Sequence, residues 1–344
     1  MLYAAQQQRT LPMIGRLAPS PTGLLHAGNL FAAAIAAADA IQQGGELVLR
    51  IEDIDAARCI PGADALILRH LSWLGLQWQR GPSPQDTSPG PWHQQQRTPC
   101  YQAAFEHLRE RGLVYPCTCS RRDIEDVLSA PHGLHDGVEY PNRCDSSLAP
   151  PESERLRLPH AWRFRARGEV TFHDRACGAV HERLEDRGDF VVRRRDDLFA
   201  YQLAVVVDDI AMGVTSVVRG RDLLDSTARQ TALWRALGTA PPSWLHLPLV
   251  TRADGARLSK RDAAMGVDGL AERGWTGPLL LGAFDALLRP IESLRSLSPH
   301  EFAETLDIQT LATPSLKLPN AFFDGPVAFD AWLNKRDRSP SGRT

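Results

Sequence analysis

Between Ile14 and Glu52 the sequence alternates a short apolar run, an alanine-rich helical stretch and a second apolar run, an order that few folds accept. The spacing predicts a strand over 14–18, a stiff turn at Pro19-Ser20-Pro21-Thr22-Gly23 and a helix from about Gly28 to Gln43. Gly44-Gly45 breaks that helix. Residues 46–52 then read as a buried strand, followed by a helix over 61–74 with proline in its first turn. Strand, helix, strand, helix implies an α/β fold with a parallel sheet and crossover helices. Ligands of such sheets sit at the carboxyl ends of the strands.

Further along, a proline- and glycine-rich stretch over 81–92 is expected to loop across the surface before a helix over 98–111. Strand-like runs occupy 161–166, 190–193, 201–207 and 216–218; a helix over 223–237, a strand over 245–250 and a polar loop over 251–262 follow. The remainder reads as mostly helical. The domain organisation expected from this pattern is a tail over 1–13, one half of a Rossmann-like catalytic domain over 14–112, and an inserted subdomain over 113–195. The second catalytic half spans 196–262, a small helical appendage 263–334, and a disordered tail 335–344.

Composition narrows the function classes. With 43% hydrophobic and 23% charged residues the chain is far from the disordered regime. The apolar run from Phe31 to Ala38 is closed by Asp39 and is about half of what a bilayer requires, so no membrane span is expected. Residues 1–13 lack an apolar signal stretch, and six unevenly spaced cysteines make no disulfide framework, so a reducing cytoplasm is the expected setting. A net charge of −2 gives no general attraction to a polyanion. Only three of the 39 basic residues are lysines, which makes a lysine inside a motif informative.

Two strings carry chemistry. In Arg16-Leu-Ala-Pro-Ser-Pro-Thr-Gly-Leu-Leu-His26-Ala-Gly28-Asn29 a strand end turns into a helix start. Backbone N–H groups there attract phosphate, Gly28 lets it approach, and His26 donates to it. In Arg257-Leu258-Ser259-Lys260-Arg261-Asp262 a polar loop carries a compact ammonium group suited to charge that develops on a departing pyrophosphate. Charge also suggests an amino-acid pocket. Arg16, Arg219 and Glu52 are the two cations and one anion that a dicarboxylic amino acid needs.

Together the two strings resemble the HIGH and KMSKS signatures of class I aminoacyl-tRNA synthetases. Adding Arg50 to Asp55 (Arg-Ile-Glu-Asp-Ile-Asp) and the run from Val206 to Gly220, the likeness is to the glutamyl-tRNA synthetase group over about 14–262. Asn29 and Arg257-Leu258 depart from the signatures in a manner frequent in that group. Arg219-Gly-Arg-Asp-Leu-Leu-Asp-Ser-Thr227 is similar to the glutamyl-queuosine tRNA(Asp) synthetases, and the 84 residues after Lys260 are too few for an anticodon-binding domain of usual size.

The resemblance implies a class I Rossmann-like parallel sheet with an inserted zinc-binding, acceptor-type subdomain and a small C-terminal helical appendage. It implies ATP-dependent activation of L-glutamate to glutamyl-adenylate, and transfer of the glutamyl group to queuosine in the anticodon loop of tRNA(Asp). His26 and Lys260 are then the catalytic residues. ATP, with Mg2+, falls to His26, Gly28, Asn29, Ser259 and Lys260, and L-glutamate to Arg16, Leu17, Ala18, Pro19, Ser20, Glu52, Tyr201 and Arg219. Which arginine holds which carboxylate stays open. Alternative readings are a truncated glutamyl-tRNA synthetase that charges a tRNA 3′ end, and an inactive synthetase-like RNA-binding module. A monomer is the expected form.

Cys117-Thr-Cys119 followed by Cys144 suits one structural zinc per chain, able to organise a segment too small for its own core. The resemblance points to Tyr140 as the fourth ligand, with His132 and His135 as alternatives on chemical grounds. Cys59, Cys100 and Cys177 read as ordinary thiols, and Trp73 and Trp78 as packing residues. Arg193-Arg194-Arg195 reads as a solvated face or a phosphate tracker.

Overall fold

The computed structural model describes residues 12–82, 91–120, 123, 140, 142–146, 149–258 and 266–336. Strands β1 (Ile14–Leu17) and β2 (Glu46–Leu49) pair in parallel, with helix α1 (Ala27–Gln42) as the crossover between them. Alanines dominate α1 because it is hemmed in on several sides: it packs on both strands and on elements from the far end of the chain. The expected strand over 46–52 stops at Leu49, and Ile51 only bridges to His93. Helix α2 (Ala63–Trp73) starts later than expected, because Gly62 takes a left-handed φ of 76° at its N-cap and leaves Pro61 outside. Trp73 and Trp78 pack against the core as anticipated.

Helix α3 (Thr98–Glu110) leads into an antiparallel sheet, in the order β3-β4-β7, of β3 (Val114–Cys117), β4 (Ala161–Phe164) and β7 (Phe190–Arg193). Between β4 and β7 lies a hairpin that sequence reasoning missed, β5 (Glu169–Asp174) and β6 (Gly178–Arg183). Residues 201–207, expected as a strand, instead open helix α4 (Tyr201–Met212), which ends at the left-handed Gly213. The run Val205-Val206-Val207 reads as a strand locally. Burial on both faces, unbroken from Leu203 to Asp209, is equally met by a helix, and apolar periodicity cannot separate the two.

Strand β8 (Ser216–Gly220), helix α5 (Leu224–Ala236) and strand β9 (Ser243–Leu247) complete a sheet of order β6-β5-β9-β8, in which β8, β9 and β5 run parallel. The two parallel units abut, since Thr215 N donates to Ile14 O at 2.9 Å and Ile14 N to Thr215 Oγ1 at 2.8 Å. The single strand expected over 245–250 is broken at Pro248, which has no N–H for a ladder; β10 (Leu249–Arg252) pairs with β11 (Ser315–Leu318) instead.

The C-terminal part is helical as expected: α6 (Val267–Glu272), α7 (Gly277–Leu288), α8 (Pro299–Thr305) and α9 (Pro326–Arg336), with β11 an addition. It shares its core with α1. Phe31 meets Phe284 edge-on at 5.3 Å, and Gln42 donates to the Ala303 and Leu306 carbonyls at 2.7 and 2.8 Å. Residues 1–11 and 337–344 of the expected tails and much of the loop over 81–92 lie outside the described residues, whereas Lys335 and Arg336, expected in the disordered tail, close α9 because the helix begun at Pro326 runs through them. No described helix is long and apolar enough to cross a membrane.

One buried charge network joins the two halves. Arg50, fully buried just after β2, reaches Asp209 at 2.8 Å, Glu52 at 3.0 Å and Asp208 at 3.5 Å. Asp208 also accepts from Gln94 at 2.8 Å, from the Tyr101 hydroxyl at 2.9 Å and from Arg97. Burial alone would lower the Arg50 pKa, but the carboxylates of Asp209, Glu52 and Asp208 outweigh it and hold the guanidinium above its usual value. A second tie runs from Asp39 on α1 to Arg175 at 2.9 Å and to Ser216 on β8 at 3.1 Å. Replacing Arg50 with Ala removes the cation shared by Asp208, Asp209 and Glu52 and leaves the network short of one buried positive charge, so we expect a loss of about 3–5 kcal/mol in unfolding free energy. Denaturant melts at pH 7 check this; a loss under about 1 kcal/mol would show that the network does not carry the junction.

Candidate active site

The carboxyl ends of β1 and β8 open into one cavity of about 890 Å3. The turn after β1 contributes Leu17, Ala18, Pro19 and Ser20, and the start of α1 contributes His26, Gly28 and Asn29. Arg16, Glu52, Tyr201 and Arg219 line the same space, as do Arg257 and Leu258. All of the described residues singled out for glutamate and for ATP therefore meet in one place. Ser259 and Lys260 lie outside the described residues; of their flanks, Leu258 lines the cavity and Gly266 forms a backbone bridge with His26.

His26 is the N-cap of α1. Its Nδ1 accepts from Gly28 N at 3.1 Å and Asn29 N at 3.3 Å, while Asn29 Oδ1 accepts from His26 N at 3.1 Å. This corrects the expectation of open N–H groups, because His26 itself occupies two of them. With Nδ1 accepting, the ring proton is carried on Nε2, the form that donates. A Cβ at residue 28 would stand 3.1 Å from His26 Cε1 and 3.2 Å from Nδ1, so glycine there serves the cap as well as any approaching phosphate.

Arg16 and Arg219 both line this cavity, near enough for the Arg16 charge to act on Arg219. Arg16 Nη1 donates to the carbonyl of Val218 at 2.6 Å, the residue before Arg219, and Arg16 Nε lies 3.9 Å from Asp209. Arg219 is fixed from three directions: Nε donates to His246 Nε2 at 2.9 Å, Nη1 to Gln230 Oε1 at 2.6 Å and Nη2 to Thr227 Oγ1 at 2.8 Å. The Trp244 ring lies 4.8 Å beneath it. Burial, with the Arg16 charge added, lowers the Arg219 pKa to about 10, which leaves it cationic at neutral pH. Opposite these cations Glu52 is held through Oε1 by Arg50, and burial raises its pKa against the pull of Arg50 and Arg16. The Tyr201 hydroxyl is likewise pushed up, by burial and then by Glu52.

Sequence reasoning missed the supports of this floor. Arg50, Asp208, Asp209 and Thr227 were already present in the strings that carried the resemblance, without a role; Asp174, Gln230 and His246 had no local signal. Arg194, in the basic run, bonds Asp55 at 2.7 Å and also lines the cavity.

The cysteine cluster lies at the end of β3. The sulfurs of Cys117, Cys119 and Cys144 lie within 4.8 Å of one another, and the Tyr140 hydroxyl is 3.3 Å from Cys117 Sγ and 3.7 Å from Cys119 Sγ. All three are free thiols. Three soft sulfurs and one oxygen around a common point fit tetrahedral zinc. Arg163 supports the set, donating to Cys117 Sγ at 3.3 Å with its guanidinium 3.6 Å from the Tyr140 ring centre. Gly188, at φ 73°, is needed because a Cβ would fall 2.1 Å from Tyr140 O. His132 and His135 lie outside the described residues. Cys59, Cys100 and Cys177 are free thiols apart from this cluster, as expected.

Residues 13–301 match the family described as tRNA synthetases class I (E and Q), catalytic domain. A glutamyl-Q tRNA(Asp) synthetase of Symbiobacterium thermophilum is 40% identical over 319 residues, 89% of this chain and 96% of the relative. One from Leptothrix cholodnii is 47% identical over 262 residues, 74% of this chain and 83% of the relative. Among solved structures, a glutamate-tRNA synthetase of Elizabethkingia anophelis superposes with a TM-score of 0.78 at 24% identity, covering 95% of this chain and 70% of that one, a likeness of fold. With the signature turn at His26, the charged floor and these matches together, the chain belongs to the class I Glu/Gln tRNA synthetase family and, within it, to the glutamyl-Q tRNA(Asp) synthetases.

Proposed function

We propose that the protein activates L-glutamate with ATP and transfers the glutamyl group to queuosine in the anticodon loop of tRNA(Asp). The observation that carries this reading is the shared cavity, in which Arg16, Arg219 and Glu52 stand beside the start of α1. The α-carboxylate must point at ATP, so the paired guanidiniums of Arg16 and Arg219 take the γ-carboxylate and Glu52 takes the ammonium. Leu17, Ala18, Pro19, Ser20 and Tyr201 complete the wall. Glutamine would set an amide against two buried guanidiniums, a mismatch worth about 1.5–3 kcal/mol, or roughly tenfold to 150-fold in discrimination.

In the first step an α-carboxylate oxygen attacks the α-phosphorus of ATP; the bond to the bridging oxygen breaks, and pyrophosphate leaves with that electron pair. His26 donates from Nε2 to the phosphates, and Gly28 and Asn29 bring the helix start against them. Ser259 and Lys260 are assigned to the same phosphates by resemblance, with Lys260 countering charge on the departing pyrophosphate. Mg2+ accompanying ATP supplies further charge neutralisation. In the second step a hydroxyl of the queuosine cyclopentenediol attacks the acyl carbon, AMP leaves, and the hydroxyl proton passes to the AMP phosphate. Positioning and charge stabilisation suffice, without a covalent enzyme intermediate. Cys117, Cys119, Tyr140 and Cys144 would hold zinc in a structural role, since four protein ligands would leave no open position for a substrate.

Charging assays test the acceptor. We expect glutamate to be attached to tRNA(Asp) that carries queuosine and not to the same tRNA lacking it; charging of unmodified tRNA(Glu) at its 3′ end would overturn the reading. The pH dependence tests Glu52. Its carboxylate must be ionised to hold the ammonium, and its folded pKa lies above the ordinary 4.5, so affinity is lost as pH falls through that raised value. We expect kcat/KM for glutamate to fall on the acid side with an apparent pKa above 4.5. The substrate's own side chain titrates at about 4.3, below that limb. Glu52→Gln should raise the glutamate KM about tenfold or more and remove the limb. An unchanged limb in the variant would contradict the assignment.

A further inference from the structure

The sheet register places two buried residues behind Arg219 that no part of the activation chemistry uses. Arg219 of β8 is paired with His246 of β9, and Trp244, two residues earlier, is paired with Asp174 of β5. Both His246 and Asp174 are fully buried. Arg219 Nε carries a hydrogen and can only donate, so the His246 Nε2 that it meets at 2.9 Å must present a lone pair. The ring proton is then on Nδ1, 2.6 Å from Asp174 Oδ2. Asp174 is itself held: Oδ1 accepts from Ala176 N at 3.0 Å and Cys177 N at 2.8 Å, and Oδ2 from His246 N at 3.1 Å.

We propose that Asp174 and His246 are positioning residues that set the glutamate-facing orientation of Arg219 by fixing the imidazole as an acceptor toward it. This rests on the reading that Arg219 binds the substrate. Asp174 fixes the tautomer, the tautomer fixes one edge of the guanidinium, and Gln230 and Thr227 fix the rest. Both groups are tuned for this. Backbone and imidazole donors hold the Asp174 pKa down at about 2 despite burial, and burial, with the Arg219 charge added, keeps the His246 pKa below its usual value. In Asp174→Asn an amide N–H replaces Oδ2 and faces Nδ1. The ring proton then moves to Nε2 and two donors confront each other at Arg219, the tautomer error known from catalytic triads.

The test is ATP–pyrophosphate exchange, with KM measured separately for glutamate and for ATP in D174N, H246Q, H246A, D174N/H246Q and R219A. Glutamine at 246 keeps an acceptor oxygen that can turn toward Arg219 whatever stands at 174. We expect D174N to raise the glutamate KM about tenfold or more with the ATP KM within about twofold, and H246Q to stay within about threefold of wild type. Adding D174N to H246Q should cost less than about threefold. Equal penalties for D174N in both backgrounds, or parallel losses for glutamate and ATP, would overturn the proposal. If D174N fails to fold, H246A against H246Q decides: a raised glutamate KM in the first that is restored in the second supports it, and equal values overturn it. An unchanged glutamate KM in R219A would instead sink the substrate reading on which the proposal rests.

Discussion

The buried guanidinium of Arg50 is the constraint from which the site follows. Asp208 and Asp209, out of water, and Glu52, partly so, lie within reach of it, and Arg97 and Arg16 complete a charge-balanced set. Such a cluster tolerates little displacement, because any shift leaves a charge unpaired where the dielectric cannot screen it. It locks the segment after β2 to helix α4, and through α4 to β8. Glu52 is thus a structural member of the junction with one edge turned to the cavity, and its place opposite Arg16 and Arg219 is set before any ligand arrives.

The nucleotide end is built by different means. Helix α1 must begin where β1 ends, and the Pro-Ser-Pro turn leaves little freedom in how the chain gets there. His26 both terminates that turn and caps the helix, so one side chain satisfies the local backbone and orients its own Nε2. The aliphatic bulk of α1, sandwiched between the sheets and the C-terminal helices, keeps this end from moving. The two ends rest on opposite physics: a fixed array of charges for the amino acid, and a helix terminus buttressed by small apolar side chains for the phosphates.

Much of this was legible in the sequence where the signal is local. The β1-α1-β2 unit shows through its periodicity and glycine breaks, and α3, α5 and the largely helical C-terminal part through the same signals. Arg16, Glu52, Tyr201 and Arg219 came from charge reasoning and resemblance, and the cysteine set from spacing and resemblance. What failed was non-local. Valines 205–207 read locally as a strand although they lie in a helix, because an apolar run buried on both faces suits either element in a short window. The strand expected over 245–250 divides because β11, more than sixty positions on, offers β10 a partner. The Asp174–His246 pair spans 72 positions and the Arg50–Asp209 pair 159, so neither leaves a local pattern.

Everything in the proposed chemistry requires that two guanidiniums and one opposing carboxylate read a single dicarboxylic amino acid beside a nucleotide cradle. A crystal structure with a non-hydrolysable glutamyl-adenylate analogue tests it most directly. We expect the γ-carboxylate within about 3 Å of the Arg16 and Arg219 guanidiniums, the ammonium against Glu52, and the adenylate phosphate at the start of α1. An analogue bound with its side chain directed away from both arginines, or with its amino group against them, would contradict it.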